Sequence, residues 1–387
     1  MSGFAAGPLE TIRLDAGLET ALRSGHPWIY RDRLPWHRLT GGELVRVEAG
    51  RAAAFGLYDA AGAIGVRLFT WDAPPDRSFL PDTVGRAVAS RDPLRDAGHS
   101  AYRLIHGEGD GLPAVVADRY GRFAVLQPHA ESVRQLLTPV ARLVLREARL
   151  KGVVVRTDDS LQVLAGDAPP PEETVVENGL RFVANLREGQ KTGMFLDHRE
   201  HRATVRDLAQ GLRVLDLFCY AGGFSVNALA GGAREVWSVD AAAPALRDAT
   251  RNVALNDLPS GRHRTIEADV FAVLEQLFEA GERFDLVILD PPSLARAKRQ
   301  RARAESAYRH LNAGAARLTV AGGLLATASC TAQIAPSAFE KVVRAGLASA
   351  GRSGNIVVRG GQPPDHPVPS SFPEGRYLKF LTVRLDP

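Results

Sequence analysis

With 387 residues, the chain is longer than one hydrophobic core usually supports, so two or three domains are expected. Hydrophobic residues make up 45% and charged residues 24%, which excludes a disordered polypeptide; no apolar run approaches the roughly 20 residues of a membrane span, and Met1–Leu14 lacks the pattern of a secretory signal. The net charge of +4 rests mostly on arginine, which fits genome composition as well as it fits an anionic, phosphate-bearing partner.

Residues 9–72 read as a small β-rich unit. In Glu43-Leu44-Val45-Arg46-Val47 apolar and charged side chains alternate as in a half-buried strand, and Ala52–Tyr58 and Ala63–Phe69 follow across the turn residues Asp59–Gly62. Pro74-Pro75 marks a boundary. The next region, to about residue 180, is predicted to hold helices over Asp82–Arg91 and Ser132–Arg149, turns at Gly107–Gly111 and Tyr120–Arg122, and a proline-rich loop over Ala165–Glu173. From about Val175 short strands alternate with helical stretches: Val214–Phe218, Glu235–Asp240, His263–Ala268, Leu286–Asp290 and Leu324–Ala328. That rhythm argues for a parallel sheet in an α/β fold.

The chemistry is expected at the carboxyl ends of those strands, where ligands bind in doubly wound sheets. Leu215-Asp216-Leu217-Phe218-Cys219-Tyr220-Ala221-Gly222-Gly223-Phe224 is a strand running through a glycine turn into a helix. It lacks the G-x-G-x-x-G of dinucleotide sites and carries Asp216 inside the strand, which suits a ligand with a cationic amino group. Asp240 closes the second strand, where an acid holds ribose hydroxyls, and Asp269 follows the third, within reach of an adenine amino group. Any one of these acids is equally well a helix N-cap. Three at successive strand ends, beside the glycine turn, describe an S-adenosylmethionine site.

The fourth strand ends Asp290-Pro291-Pro292-Ser293, a rigid turn whose carboxylate is expected to hydrogen-bond the exocyclic amino group and N3 of a cytosine. The fifth ends Ser329-Cys330-Thr331. A half-buried cysteine is commonly just a small hydrophobe, but methylation at C5 of a pyrimidine needs a nucleophile at C6, and a thiolate serves. Cys219, the second of the two cysteines, is expected to pack beside the cofactor; two cannot make a disulfide framework or a four-ligand zinc site, so no metal and a reducing, cytoplasmic location are expected.

These motifs, with Gln190-Lys191-Thr192-Gly193-Met194-Phe195-Leu196-Asp197-His198-Arg199, Ile105–Pro113, Asp365-His366-Pro367 and Pro373–Lys379, resemble bacterial class I methyltransferases that carry an N-terminal PUA domain and methylate C5 of cytosine in large-subunit ribosomal RNA. The resemblance runs along essentially the whole chain. It implies an α/β fold in three parts. These are a PUA-like β-barrel over 1–75, a small α/β domain over 76–180, and a Rossmann-like domain over 181–387 with a mostly parallel seven-stranded sheet. It implies Cys330 as nucleophile and Asp290 as the group orienting the base. S-adenosylmethionine would be held by Asp216, Phe218, Tyr220, Gly222, Gly223, Phe224, Asp240, Asp269 and Asp290, with Thr192, Phe195 and Asp197. The target nucleotide would meet Pro291, Pro292, Lys191, Arg199, Arg296 and Lys298. No cysteine follows Asp290-Pro291, so the mechanism implied uses one cysteine.

The expected partner is ribosomal RNA, with no membrane; a homodimer is left open. The basic run Arg296, Lys298, Arg299, Arg301 and Arg303 is either an RNA contact or a solvated helix face. Two other readings stand beside the main one: methylation at guanine N7 or an exocyclic nitrogen, which needs no cysteine, and a non-catalytic RNA-binding protein.

Overall fold

The computed structural model describes residues 9–157, 160–186, 194–295 and 297–387. Lys191, Thr192 and Arg296, and the side chain of Lys298, lie outside this description. The chain divides into two compact units, the first comprising the described residues of Met1–Glu177, Ala184–Leu196 and Pro364–Gly375. The second comprises Asn178–Val183, the described residues of Asp197–Pro363, and Arg376–Pro387.

Two five-stranded sheets build the first unit. Strands β1 (Glu10–Arg13), β2 (Trp28–Tyr30), β3 (Leu44–Ala49), β4 (Ala52–Tyr58) and β5 (Ile64–Thr70) lie in the order β1-β3-β4-β5-β2, with the short helix α1 (Glu19–Arg23) after β1. The alternation in β3 has the expected cause: Val45, Val47 and Ala49 are buried while Leu44, Arg46 and Glu48 are half-exposed. Val45 and Val47 join Ile12, Leu22, Ile29, Val66 and Leu68 in one core.

After α2 (Phe79–Ala89) and α3 (Asp92–Asp96), strands β6 (Ala101–His106), β7 (Val115–Tyr120), β8 (Phe123–Pro128), β9 (Gly152–Arg156) and β10 (Leu161–Gly166) form the second sheet. Helix α4 (Arg134–Glu147) buries Leu136, Leu137, Val140, Ala141 and Val144 into its core. Helix α2 begins three residues before the expected Asp82 and ends two before Arg91, and α4 is two residues shorter at each end than Ser132–Arg149, since helix ends are set by caps rather than by periodicity. The loop expected over Ala165–Glu173 is trimmed at both ends by β10 and by β11 (Glu172–Glu177). The stretch Pro364–Gly375 packs in this unit: Arg91 donates to the Asp365 carbonyl at 2.8 Å, and the Arg103 amide to the Asp365 carboxylate at 2.9 Å.

The hairpin of β11 and β12 (Leu180–Asn185) leads towards the second unit. There α5 (Arg199–Leu208) precedes an alternating series: β13 (Arg213–Leu217), α6 (Gly223–Ala230), β14 (Glu235–Asp240), α7 (Ala243–Leu255), β15 (His263–Glu267), α8 (Val270–Glu279), β16 (Phe284–Leu289), α9 (Arg301–Leu318) and β17 (Thr319–Ser329). Helix α10 (Pro336–Ser349) and strands β18 (Gly354–Gly360) and β19 (Lys379–Leu385) close the chain. The seven strands lie in the order β15-β14-β13-β16-β17-β19-β18. The first five are parallel, and β19 runs antiparallel between β17 and β18. Strands β13 and β16 are buried at nearly every position, the mark of a parallel sheet covered on both faces. The chain leaves β13 towards β14 and β15 on one side, then returns to place β16 and β17 on the other. The crevice at the β13/β16 carboxyl ends is therefore a topological switch point.

Candidate active site

Four aspartates and a cysteine stand at the carboxyl ends of five neighbouring strands, in the sheet order Asp269, Asp240, Asp216, Asp290, Cys330. Asp216 lies within β13 and is fully buried. One carboxylate oxygen, Oδ2, accepts the Ser225 hydroxyl at 2.6 Å; the other, Oδ1, is buried with no hydrogen-bond partner among the described residues. Ser225 continues through Ser238 (2.6 Å) to His263 Nε2 (2.7 Å), so one side of Asp216 is held by a fixed polar chain. Burial raises its pKa to about 7; Ser225 opposes the shift, and the charges of Asp290 and Asp240 add to it. An orphaned, buried carboxylate oxygen at a switch point fits a ligand bearing a positive charge or an N–H donor.

The loop after β13 is shaped for close approach. Phe218 (φ 61°) and Tyr220 (φ 48°) adopt left-handed backbone that non-glycine residues rarely accept, and both side chains are half-buried. Gly222, buried at φ 72°, begins α6; a Cβ there would sit 2.8 Å from Ala249 Cβ, so only glycine fits. Asp240 ties this loop to the next, its carboxylate accepting the Tyr220 amide and the Ala242 amide, each at 2.9 Å. Cys219 is buried, its thiol pushed well up by burial and by the charges of Asp216 and Asp240, which suits a packing residue. Gly223 packs at the first turn of α6 against Arg202, and Phe224 is buried among His198 and Phe380 at 5.5 and 6.4 Å between ring centres. Asp269 is exposed and caps α8 through the Ala272 amide at 3.2 Å, the capping role that strand-end acids often have.

Around Asp290 the structure adds groups to the expected set. Its carboxylate lies 3.3 Å from His198 Nε2, and His198 Nδ1 is 2.9 Å from His201 Nδ1. His201 stacks on Phe380 at 4.2 Å and is held towards the neutral form, its pKa lowered to about 2 by burial. The buried Asp197 accepts the Tyr377 hydroxyl at 2.8 Å. Arg199 is fully buried, with Nε 3.4 Å from Glu200: it belongs to the packed interior of its unit. Phe195 is half-buried and belongs to the first unit. Pro291 is buried and Pro292 exposed.

Cys330 is half-buried, one residue beyond β17, and β17 pairs in parallel with β16. The two tips are stitched together: Thr331 Oγ1 donates to the Ala295 carbonyl at 2.7 Å, joining the loop after Cys330 to the loop after Asp290. The Tyr308 phenol of α9 answers to both, for burial raises its pKa and the charges of Cys330 and Asp290 raise it further. Lys379, 96% buried, opposes Ser329 across β17 and β19 and donates to the Thr331 carbonyl and, at 2.8 Å, to that of Tyr377. His198 and Lys379 lie in stretches that carry the family resemblance, but nothing in their spacing places them beside Asp290 and Cys330; only the sheet order does.

A glycine turn, an orphaned acid and an acidic series at the switch point of a mixed seven-stranded sheet define the class: an S-adenosylmethionine-dependent methyltransferase. The family model of that description matches residues 125–374, and a PUA-like domain model matches residues 12–71. The chain is 37% identical over 392 residues to ribosomal RNA large subunit methyltransferase I of Aeromonas salmonicida, covering 96% of this chain and 98% of that protein. It is 34% identical to the protein of the same name in Escherichia coli, over 96% and 98% of the two chains. The chain belongs to this family of ribosomal RNA large subunit methyltransferases I. Among solved structures, a SAM-dependent methyltransferase from Streptococcus mutans superposes with a TM-score of 0.88 at 21% identity, covering 97% of this chain and 100% of that one. A methyltransferase complexed with SAH gives 0.89 at 22% identity, with the same coverage. These likenesses show the shared fold.

Proposed function

We propose that this chain methylates C5 of a cytosine in large-subunit ribosomal RNA, with Cys330 as nucleophile and Asp290 orienting the base. The observation that carries the reading is the pairing of Cys330 and Asp290 at adjacent strand tips, locked together by Thr331 and Ala295. S-adenosylmethionine, when bound, supplies an electrophilic methyl group, and Asp216, Asp240 and the Phe218–Phe224 loop are the residues that would hold it. The chain's own task is to make C5 nucleophilic. The Cys330 thiolate adds to C6 of the base; the C5–C6 π electrons move through C4 onto N3, which takes a proton relayed from His198 by the Asp290 carboxylate, 3.3 Å away from that imidazole. Once C5 has taken the methyl group, with S-adenosylhomocysteine as leaving group, N3 would return its proton by the same route. Loss of the C5 proton to water then returns its electrons to the C5–C6 bond and expels Cys330 as thiolate.

RNA recognition is assigned to the PUA-like sheet. Trp36, 81% exposed, carries the Arg38 guanidinium 5.5 Å from its ring centre, a combination suited to stacking on bases and pairing phosphates. Arg299, Arg301 and Arg303 are exposed at the start of α9 and available to phosphates, although Arg301 also pairs with Glu305 at 2.8 Å. Among the described residues no helix is long and apolar enough to cross a membrane, and a ribosomal substrate argues for the cytoplasm.

The test is Cys330→Ser. It is expected to bind S-adenosylhomocysteine as the unaltered protein does while forming no 5-methylcytosine in ribosomal RNA. Full methylation by this variant removes the nucleophile and favours reaction at N7 or an exocyclic nitrogen.

A further inference from the structure

We propose that Lys379 is the positioning residue that holds Cys330 as a thiolate, its ammonium fixed at the tip of β19 beside the end of β17. The inference rests on the reading of Cys330 as nucleophile and adds the group that activates it. An ordinary cysteine has a pKa near 8.5, so only a few per cent is thiolate at neutral pH; a nucleophile for C6 needs a nearby positive charge. The structure offers a full charge.

Lysine is seldom buried without a reason. Lys379 is 96% buried and its register is fixed, opposite Ser329 in the antiparallel pair of β17 and β19. The ammonium has three donors. Two are spent on carbonyls, those of Thr331 and Tyr377, which aim the group at the Cys330 loop and leave a third donor. No carboxylate forms an ion pair with it among the described residues, so a negative charge close by would be strongly welcomed. Burial lowers its pKa to about 8, and a negative charge on Cys330 raises it again. The coupling is reciprocal: what a thiolate does for the ammonium, the ammonium does for the thiolate.

The other ionisable groups around Cys330 do not supply this charge. Tyr308 of α9 is held neutral, and Asp290 beyond β16, acting on the same phenol as Cys330, repels a thiolate; His198, before α5, is engaged with Asp290. Lys379 therefore offsets Asp290, placing one positive charge where a carboxylate and a thiolate must coexist. As pH rises past the lysine's own titration the support is withdrawn.

The experiment is the pH dependence of Cys330 alkylation by iodoacetamide on the full chain, followed by mass spectrometry of the peptide containing Cys330, so that Cys219 does not contribute. Wild type is expected to show an inflection well below 8.5. Lys379→Met should move it up by about a unit, and slow alkylation at pH 7 about threefold, because a tenfold loss of thiolate is partly offset by the greater nucleophilicity of a more basic thiolate. Lys379→Arg should restore the low inflection. An unchanged curve in Lys379→Met, with a normal melt and normal S-adenosylhomocysteine binding, overturns the proposal. If that variant does not fold, the wild-type curve decides: an inflection at about 8.5 or above overturns the proposal, and one well below, retained in Lys379→Arg, sustains it. Failure of the Cys330 reading shows differently, as methylation by Cys330→Ser, and leaves the alkylation curves untouched.

Discussion

The position of Asp216 costs the fold stability. Its carboxyl is fully buried with one oxygen unpaired, and its pKa is raised from 3.8 to about 7. A raised pKa means that the folded chain binds the proton more tightly than the unfolded chain. The associated stability is present below about pH 4 and is lost as pH rises through 7; the whole effect is on the order of 4 kcal/mol. Asp216→Asn, which removes the charge and keeps the shape, should therefore melt at a higher temperature than wild type at pH 8 without cofactor. That gain should shrink towards pH 4, and S-adenosylhomocysteine affinity should fall at least tenfold. A gain independent of pH, or unchanged affinity, contradicts the role given to the orphaned oxygen. This residue was legible in sequence, because an acid inside an apolar strand is conspicuous. Its state was not, since burial and an unpaired oxygen are properties of the packed interior.

Elements place these residues, and the turn after β13 is the most demanding of them. Gly222 has a left-handed backbone and no room for a Cβ beside Ala249. Gly222→Ala should lower stability by about 1–2 kcal/mol from the backbone alone, and more from the contact. Thermal melts should show the loss, and calorimetry a weakened S-adenosylhomocysteine complex; an unaltered melt would mean that the loop has another low-energy path. The parallel strands were readable because each is a short apolar run bounded by turn residues, and β14 spans the expected Glu235–Asp240. Strand β17 is longer than expected, since Gly322 and Gly323 remain within Thr319–Ser329 despite the usual breaking effect of glycine. Strands β18 and β19 gave no comparable signal. In β18 exposed and half-exposed residues alternate, and β19 is apolar but begins with Lys379, so neither announces its neighbour. That gap hid Lys379: its pairing with Ser329 joins segments remote in sequence.

At the scale of the whole molecule the chain passes between its two units more than once, and Pro364–Gly375 returns to the first unit after most of the second is built. Local pattern cannot foresee such a return, because Asp365 is held by Arg91 and by the Arg103 amide, partners far away along the chain. Cys330 and Asp290 were legible from their strand-end positions, whereas His198 and Lys379 became functional candidates only once the sheet was assembled. The proposed mechanism requires a transient bond between one sulfur and C6 of a cytosine, made by the intact protein on its RNA. Ribosomal RNA carrying 5-fluorocytosine tests it directly, for fluorine at C5 cannot leave as the proton does, and the adduct should persist. With S-adenosylmethionine present, digestion and mass spectrometry should find the nucleotide joined to Cys330. A nucleotide joined to Cys219, or no adduct from a preparation that methylates the unfluorinated RNA, would contradict the account.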